Sequence, residues 1–216
     1  MDNNNFNVEP EYKKYKMEEK NMLKINTNNL LYSIMRDDIK TANKIIEEGQ
    51  YDIEYVDIYE NTILILACKN NVEEVALKLI ETGNSFPNKN NMNGDTALIY
   101  ACKNKMSRVA LKLIETGKSN PSQVGECADT ALIWACGNGM SEVALKIIEI
   151  EKRNIGQVDL SGDTALILAC ENRMLEVALK LIDTGKSNPE QVNKNKDTAL
   201  KNAYKNEMME IILKLT

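Results

Sequence analysis

Histidine is missing from this chain altogether, and that absence removes a good deal of chemistry. There can be no Ser–His or Cys–His nucleophile pair and no histidine-containing zinc site. The commonest general base is gone as well. Long apolar runs are also missing: nothing approaches the roughly 18–20 residues needed to cross a bilayer. The opening stretch, MDNNNFNVEPEYKKYKMEEK, has no apolar core of a secretory signal. An intracellular, cytoplasmic protein off the membrane is the expectation. A basic excess is lacking too, since 27 Lys and Arg stand against 32 Asp and Glu, for a formal charge of -5. Phosphate binding draws its affinity from clustered cations, so nucleic acid is not the expected partner. Residues 1–60 hold 13 acidic and 8 basic side chains and the rest 19 of each, so electrostatic selectivity should begin at the N-terminal end.

Catalytic constellations are equally scarce. No Gly-rich phosphate loop, serine nucleophile motif or metal-spaced cluster appears. The acidic pairs Asp37-Asp38 and Glu73-Glu74 sit at adjacent positions, which on a helix point about 100° apart and do not converge on a substrate. A non-enzyme with no cofactor and no metal is expected.

What is present is a repeat. Thr96, Thr130, Thr164 and Thr198 each open the string T-A-L behind an Asp, always 34 residues apart, and Thr62 opens a degenerate copy in the same register. Gly83, Gly117 and Gly185 recur in step, and Gly49 extends the pattern one unit back. Six units follow, at about 27–60, 61–94, 95–128, 129–162, 163–196 and a shortened 197–216. Within the third unit, Asp95 or Thr96 can cap a first helix on which Leu98, Ala101 and Cys102 share a face. A second helix groups Val109, Ala110, Leu113 and Ile114, and Gly117 stops it as a C′ glycine. Lys118 to Ala128, with Pro121, reads as an extended loop or hairpin. Two helices of about ten residues cannot bury their apolar faces alone, whereas stacked copies can.

The unit resembles an ankyrin repeat, whose 33-residue pattern contains T-P-L-H-x-A, then a second helix and a glycine. The matching residues are Thr96, Ala97, Leu98, Ile99, Tyr100 and Ala101, and likewise from Thr62, Thr130, Thr164 and Thr198. The resemblance covers about residues 27–216 and implies an all-α solenoid of six helix-turn-helix units with hairpin-like loops. It departs in three ways: the Pro is Ala (Ile63 in one copy), the His is Ile or, last, Lys201, and the loop is one residue longer. The family's Thr–His bonding between units therefore cannot form here. Residues 1–26 read as a polar tail or a capping segment, and the unit from 197 as a C-terminal cap. The Asn-rich flavour is similar to ankyrin proteins of large DNA viruses and intracellular parasites.

Constant positions are read as scaffold. Cys68, Cys102, Cys136 and Cys170 share the small-residue face, and helices packed about 8–10 Å apart hold equivalent cysteines too far apart for a disulfide. They are expected to be small buried hydrophobes, with Cys127 a lone thiol in a loop tip. Met106, Met140, Met174 and Met208 fit packing between units, and Asn70, Asn104, Asn138, Asn172 and Asn206 fit a left-handed turn.

Variable positions are candidate surface. Leu66, Tyr100, Trp134, Leu168 and Asn202 share one register of the first helices, beside Lys69, Lys103, Gly137, Glu171 and Lys205. By the resemblance this face lines a concave groove. Tyr100 and Trp134 are either binding anchors there or rings filling gaps between helices. The first loop, Gln50 to Asn61, alternates enough to read as a strand pair grouping Tyr51, Tyr55 and Tyr59 with acids. It suits either a basic partner or a soluble cap. The candidate protein-binding set is Tyr55, Asp57, Tyr59, Glu60, Met92, Tyr100, Lys103, Glu126, Trp134, Leu160 and Glu171. A monomeric interaction module holding another protein, such as a viral or pathogen factor capturing a host protein, is the reading that follows. A self-associating structural protein is the alternative.

Overall fold

The computed structural model describes residues 8–83, 85–151 and 153–216, with side chains from residue 13 onward. The first seven residues of the polar lead-in and the Tyr12 side chain lie outside the described residues. Threonine starts each unit from the second on. Thr62, Thr96, Thr130, Thr164 and Thr198 hold an extended backbone, and each Oγ1 accepts from the backbone N–H three residues on, at 3.1–3.2 Å. That satisfies one orphan donor of a helix start. The helices so capped are α3 (Ile63–Lys69), α5 (Ala97–Lys103), α7 (Ala131–Gly137), α9 (Ala165–Glu171) and α11 (Ala199–Lys205).

Each is followed by a second helix: α4 (Glu73–Glu81), α6 (Ser107–Glu115), α8 (Ser141–Ile150), α10 (Leu175–Asp183) and α12 (Met209–Leu215). These have no side-chain cap. Their leading residues, Val72, Met106, Met140, Met174 and Met208, are buried, and the carbonyl of each accepts the first helical bond. The methionine stripe is packing. Gly83, Gly117 and Gly185 follow α4, α6 and α10 with φ of +76, +64 and +67, where a side chain would be strained. The fourth unit has Glu151 in that register. Its buried carboxylate accepts from the backbone N–H of Arg153 and Asn154 and from Ser122 Oγ, so a side chain builds the turn that glycine builds elsewhere.

The first helices pack side by side in one layer and the second helices in another, with leucine, isoleucine, alanine and cysteine buried between them. At the N-terminal end stand α1 (Val8–Met35) and α2 (Ile39–Glu48). Helix α1 runs through residue 27 without a break, so the lead-in from Val8 is helical. Burial marks the change instead: residues 13–25 are exposed except for half-buried Leu23, whereas Thr27, Leu30, Ser33 and Ile34 are buried. Twelve helices in six pairs, with no strand among the described residues, make the expected all-α solenoid. The loops carry single antiparallel bridges, Val56 with Thr62 and Asn90 with Thr96, and not the strand pair expected at Gln50 to Asn61.

The repeated asparagine has a different role from the expected one. Its φ lies between -86° and -102° in the five copies, outside the left-handed region. The left-handed residue is the next one: Asn71, Lys105, Gly139, Arg173 or Glu207. The asparagine amide instead reaches back one unit. Asn104 Nδ2 donates to the carbonyls of Cys68 (2.7 Å) and Lys69 (3.3 Å). Asn138 does the same to Cys102 and Lys103, Asn172 to Cys136 and Gly137, and Asn206 to Cys170 and Glu171. The last carbonyls of α3, α5, α7 and α9, which no residue of those helices can satisfy, thus receive a donor from the following unit. Asn70 has no equivalent target on α1, and its amide bonds Leu66 O within its own helix.

Replacing Asn104 by alanine should therefore take the side-chain donor from Lys69 O and leave Cys68 O with the Asn71 backbone N–H alone, lowering stability by about 1–3 kcal/mol, the cost of stranding such a group. Asn70→Ala loses only a local bond and should cost clearly less. Urea unfolding of the two variants compares them, and equal losses would contradict the bridging role.

Candidate protein-binding face

Because the first helices lie side by side, the positions they leave unpacked form a continuous strip. Lys69, Lys103, Gly137, Glu171 and Lys205 are all exposed along it. In the neighbouring register Leu66, Trp134 and Leu168 are half-buried, while Tyr100 at 7% exposure and Asn202 are buried. Tyr100 is therefore wedged within the stack and is no groove anchor. Burial, then the nearby Asp95 carboxylate, pushes its hydroxyl pKa up to about 12. Trp134 alone of the aromatic pair offers ring surface. Lys103 Nζ lies 5.1 Å from the Trp134 ring centre and 5.9 Å from that of Tyr100, and Lys69 Nζ lies 5.9 Å from Tyr100. Cations thus already stand over these rings.

Trp134 also walls a pocket of about 160 Å³ with Asp129, Ile133, Gly137, Asn138, Asp159 and Leu168. Gly137 opens it, since a side chain at that position would stand against Leu168. Asp129 is the repeated residue before the capping threonine, and it is buried. Burial raises its pKa most, the Trp134 indole N–H opposes this, and Asp95 and Asp159 raise it against the pull of Lys103. The indole is close enough to favour the charged form, yet no hydrogen bond is completed: Asp129 Oδ1 and Trp134 Nε1 are both buried without a partner.

The loop tips form a second row. At the first, Asp57 Oδ1 accepts from the backbone N–H of Tyr59 and Asn61 and Oδ2 accepts from Asn61 Nδ2, with Glu60 left-handed at φ 61. Asp57 is thus spent on the turn. The three tyrosines do not group, for Tyr51 is buried, Tyr55 half-buried and Tyr59 exposed. Adjacent tips join through their backbones, Met92 N–H to Tyr59 O and Leu160 N–H to Cys127 O, while Glu126 accepts from Asn93 Nδ2. Tyr59, Met92 and Leu160 therefore lie exposed along one edge, apart from Tyr100, Lys103 and Trp134. Ile58, 84% exposed, belongs to that edge as well. Its spacing of 34 from Met92 could have revealed it. Asp129 could not be found that way, because it looks like its counterparts Asp95, Asp163 and Asp197.

The family model for ankyrin repeats, in three copies, matches residues 30–124, 110–190 and 132–216. Among solved structures the chain is similar to an ankyrin repeat domain from Acinetobacter baumannii AYE, at 25% identity and TM-score 0.65, covering 86% of this chain and 95% of that one. It is also similar to the ankyrin repeat protein EF0377, at 24% identity and TM-score 0.65, over 88% and 96% of the two chains. A third is a chain of the complex between a predatory endopeptidase and an immunity protein of Bdellovibrio bacteriovorus, at 23% identity and TM-score 0.64, over 87% and 96%. Among curated proteins nothing matches.

The register cysteines Cys68, Cys102, Cys136 and Cys170 are buried and unpaired. Burial raises all four thiol pKa values, those of Cys68 and Cys170 to about 12. Among the described residues no three acidic, cysteine or histidine side chains are placed to share a metal ion. Cys127 is exposed. Thiol titration of the native protein should give one fast group and four more only in denaturant. Several fast groups would contradict the burial.

Proposed function

The chain belongs to the ankyrin-repeat family, and from that premise we propose that it is a non-catalytic module that holds a protein partner in the groove of its first helices and along its loop tips. One observation carries this reading. Residues that build the stack recur every 34 positions, while the exposed strip Lys69, Lys103, Gly137, Glu171 and Lys205 changes in charge and size from unit to unit. A scaffold alone has no use for that variation, whereas recognition of one partner does. The endopeptidase complex among the similar structures is itself an assembly of two proteins, which agrees in kind. A monomer of 27–216 as one domain, working in the cytoplasm without nucleic acid, completes the reading. Capture of a host protein by a viral or pathogen factor is its narrowest form.

The proposal has a direct test. Exchanging the groove charges, Lys103→Glu with Glu171→Lys, alters two exposed side chains, one of which, Lys103, also stands over the Trp134 and Tyr100 rings. A partner captured by the wild-type protein should be lost by this variant while helicity stays unchanged and stability falls by no more than about 1 kcal/mol, the scale of an exposed cation–π contact. Trp134→Ala should weaken binding about 30-fold if the ring is an anchor worth about 2 kcal/mol. The protein should run as a monomer when dilute. Capture that survives all these changes would contradict the groove reading, and growth of the particle with concentration would favour the self-associating alternative.

A further inference from the structure

In two of the loops an asparagine ties its unit to the residue before the capping threonine of the preceding unit. Asn91 Nδ2 donates to Asn61 Oδ1 at 2.8 Å, and Asn193 Nδ2 donates to Asp163 Oδ1 at 2.6 Å. Gly125 and Asp159 stand in that register between them. Neither has a side-chain N–H to give. Asp95 receives no asparagine amide: its Oδ1 accepts a long bond from the Glu126 backbone N–H, 3.3 Å, and the Tyr100 hydroxyl stands beside its carboxylate. Asp159 has Oδ1 occupied by the backbone N–H of Ser161 and Asp163, and it faces Asp129 with a carboxylate where the next loop presents an amide.

The middle of the solenoid therefore carries an acceptor with no donor seated on it. Asp129, 4% exposed, has an oxygen with no partner, and the buried indole N–H of Trp134 beside it, itself a donor, completes no bond either. A buried carboxylate without its hydrogen bonds costs free energy, and a charge-assisted donor recovers most. The pocket at this place has two carboxylates, an aromatic wall, the apolar sides of Ile133 and Leu168, and Gly137, which adds no side chain to its lining. Lys103, reaching over Trp134 from α5, is the cation at hand, set against Asp95, Asp129 and Asp159. What fits is a planar cation with several N–H groups that can stack on a ring. That is a guanidinium rather than an ammonium.

We infer that the pocket between α7 and α9, lined by Asp129, Trp134, Gly137 and Asp159, is the subsite that takes an arginine side chain of the protein held in the groove. The inference rests on the groove reading and adds the chemistry of the partner at one point along it. The arginine supplies the donors that Asn91 and Asn193 supply at the neighbouring interfaces. Its entry places the guanidinium against the carboxylates and beside the indole.

Asp159→Asn gives the test, because its two effects have opposite signs. The new amide can donate to Asp129 as Asn193 donates to Asp163, while its oxygen keeps the bonds from Ser161 and Asp163. The variant should unfold at a higher denaturant midpoint than the wild-type protein and bind arginine about tenfold or more weakly. The probe is an acetylated, amidated Gly-Ser-Arg-Ser-Gly peptide beside its citrulline and lysine counterparts, read by the fluorescence of Trp134, the only tryptophan. Saturable binding of the arginine peptide in the millimolar range is expected, with citrulline and lysine clearly weaker. Glu142→Gln on α8, the same change of charge in the other layer, should alter neither signal. Equal binding of the citrulline or lysine peptide, undiminished binding by Asp159→Asn, or a lowered midpoint in that variant would overturn the inference. If Asp159→Asn still captures the natural partner while the Lys103 and Glu171 exchange does not, the groove stands and the arginine subsite falls. If both variants still capture it, both fall.

Discussion

The structure depends on an asparagine amide that belongs to one unit and satisfies another. A helix of seven residues makes few of its own hydrogen bonds, and its last carbonyls have no partner within it. In α3, α5, α7 and α9 two of those carbonyls receive the Nδ2 of an asparagine 35 or 36 residues further on. The end of each such helix is therefore complete only when the following unit has docked. Capping, ordinarily a local matter, becomes the contact that couples neighbours. This is how the stack holds together although the Pro and His of the family pattern are absent. The threonine keeps its part of that pattern, since it caps from inside the unit and needs no histidine.

With stacking assigned to constant residues, the remaining positions are free to differ. Where the pattern itself is broken, the breaks are of two kinds. Glu151 replaces a turn glycine and rebuilds the turn with Oε1, which gathers three donors, one of them Ser122 of the preceding unit, while Oε2 is buried without a partner. Gly125 and Asp159 replace a bridging asparagine and compensate for nothing. They leave Asp129 and Trp134 with unused polar atoms on the wall of the pocket between α7 and α9. Surface ion pairs between second helices, Lys78 with Glu47 and Lys214 with Asp183, join units on the far side, but they are solvated and worth little.

Much of this was legible in the chain. A period of 34, a threonine before each apolar run and a glycine after it fix helix number, order and ends. Recurrence of Cys and Met in small or core-facing registers fixes what is buried. Reading failed where the deciding contact lies one unit away. The asparagines looked like local turn residues because their partners are 35 or 36 positions distant. For Tyr100 the single helix left a binding anchor and a gap-filling ring both open, and its neighbours in the stack decide for burial. The alternation around Tyr55 suggested strands, whereas Asp52 and Asp57 fold the backbone into side-chain-held turns. The length of α1 was hidden for another reason: its first half is a polar helix whose exposed face follows no repeat.

Coupling through the asparagines is best tested at the fourth unit, where Trp134 reports one unit while far-ultraviolet circular dichroism reports all of them. In the wild-type protein the two signals should follow one urea transition with the same midpoint. The double variant Asn138→Ala with Asn172→Ala removes the amide bonds on both sides of that unit, and the two transitions should then separate, with Trp134 moving first. A double variant whose signals still coincide at the wild-type midpoint would contradict the account.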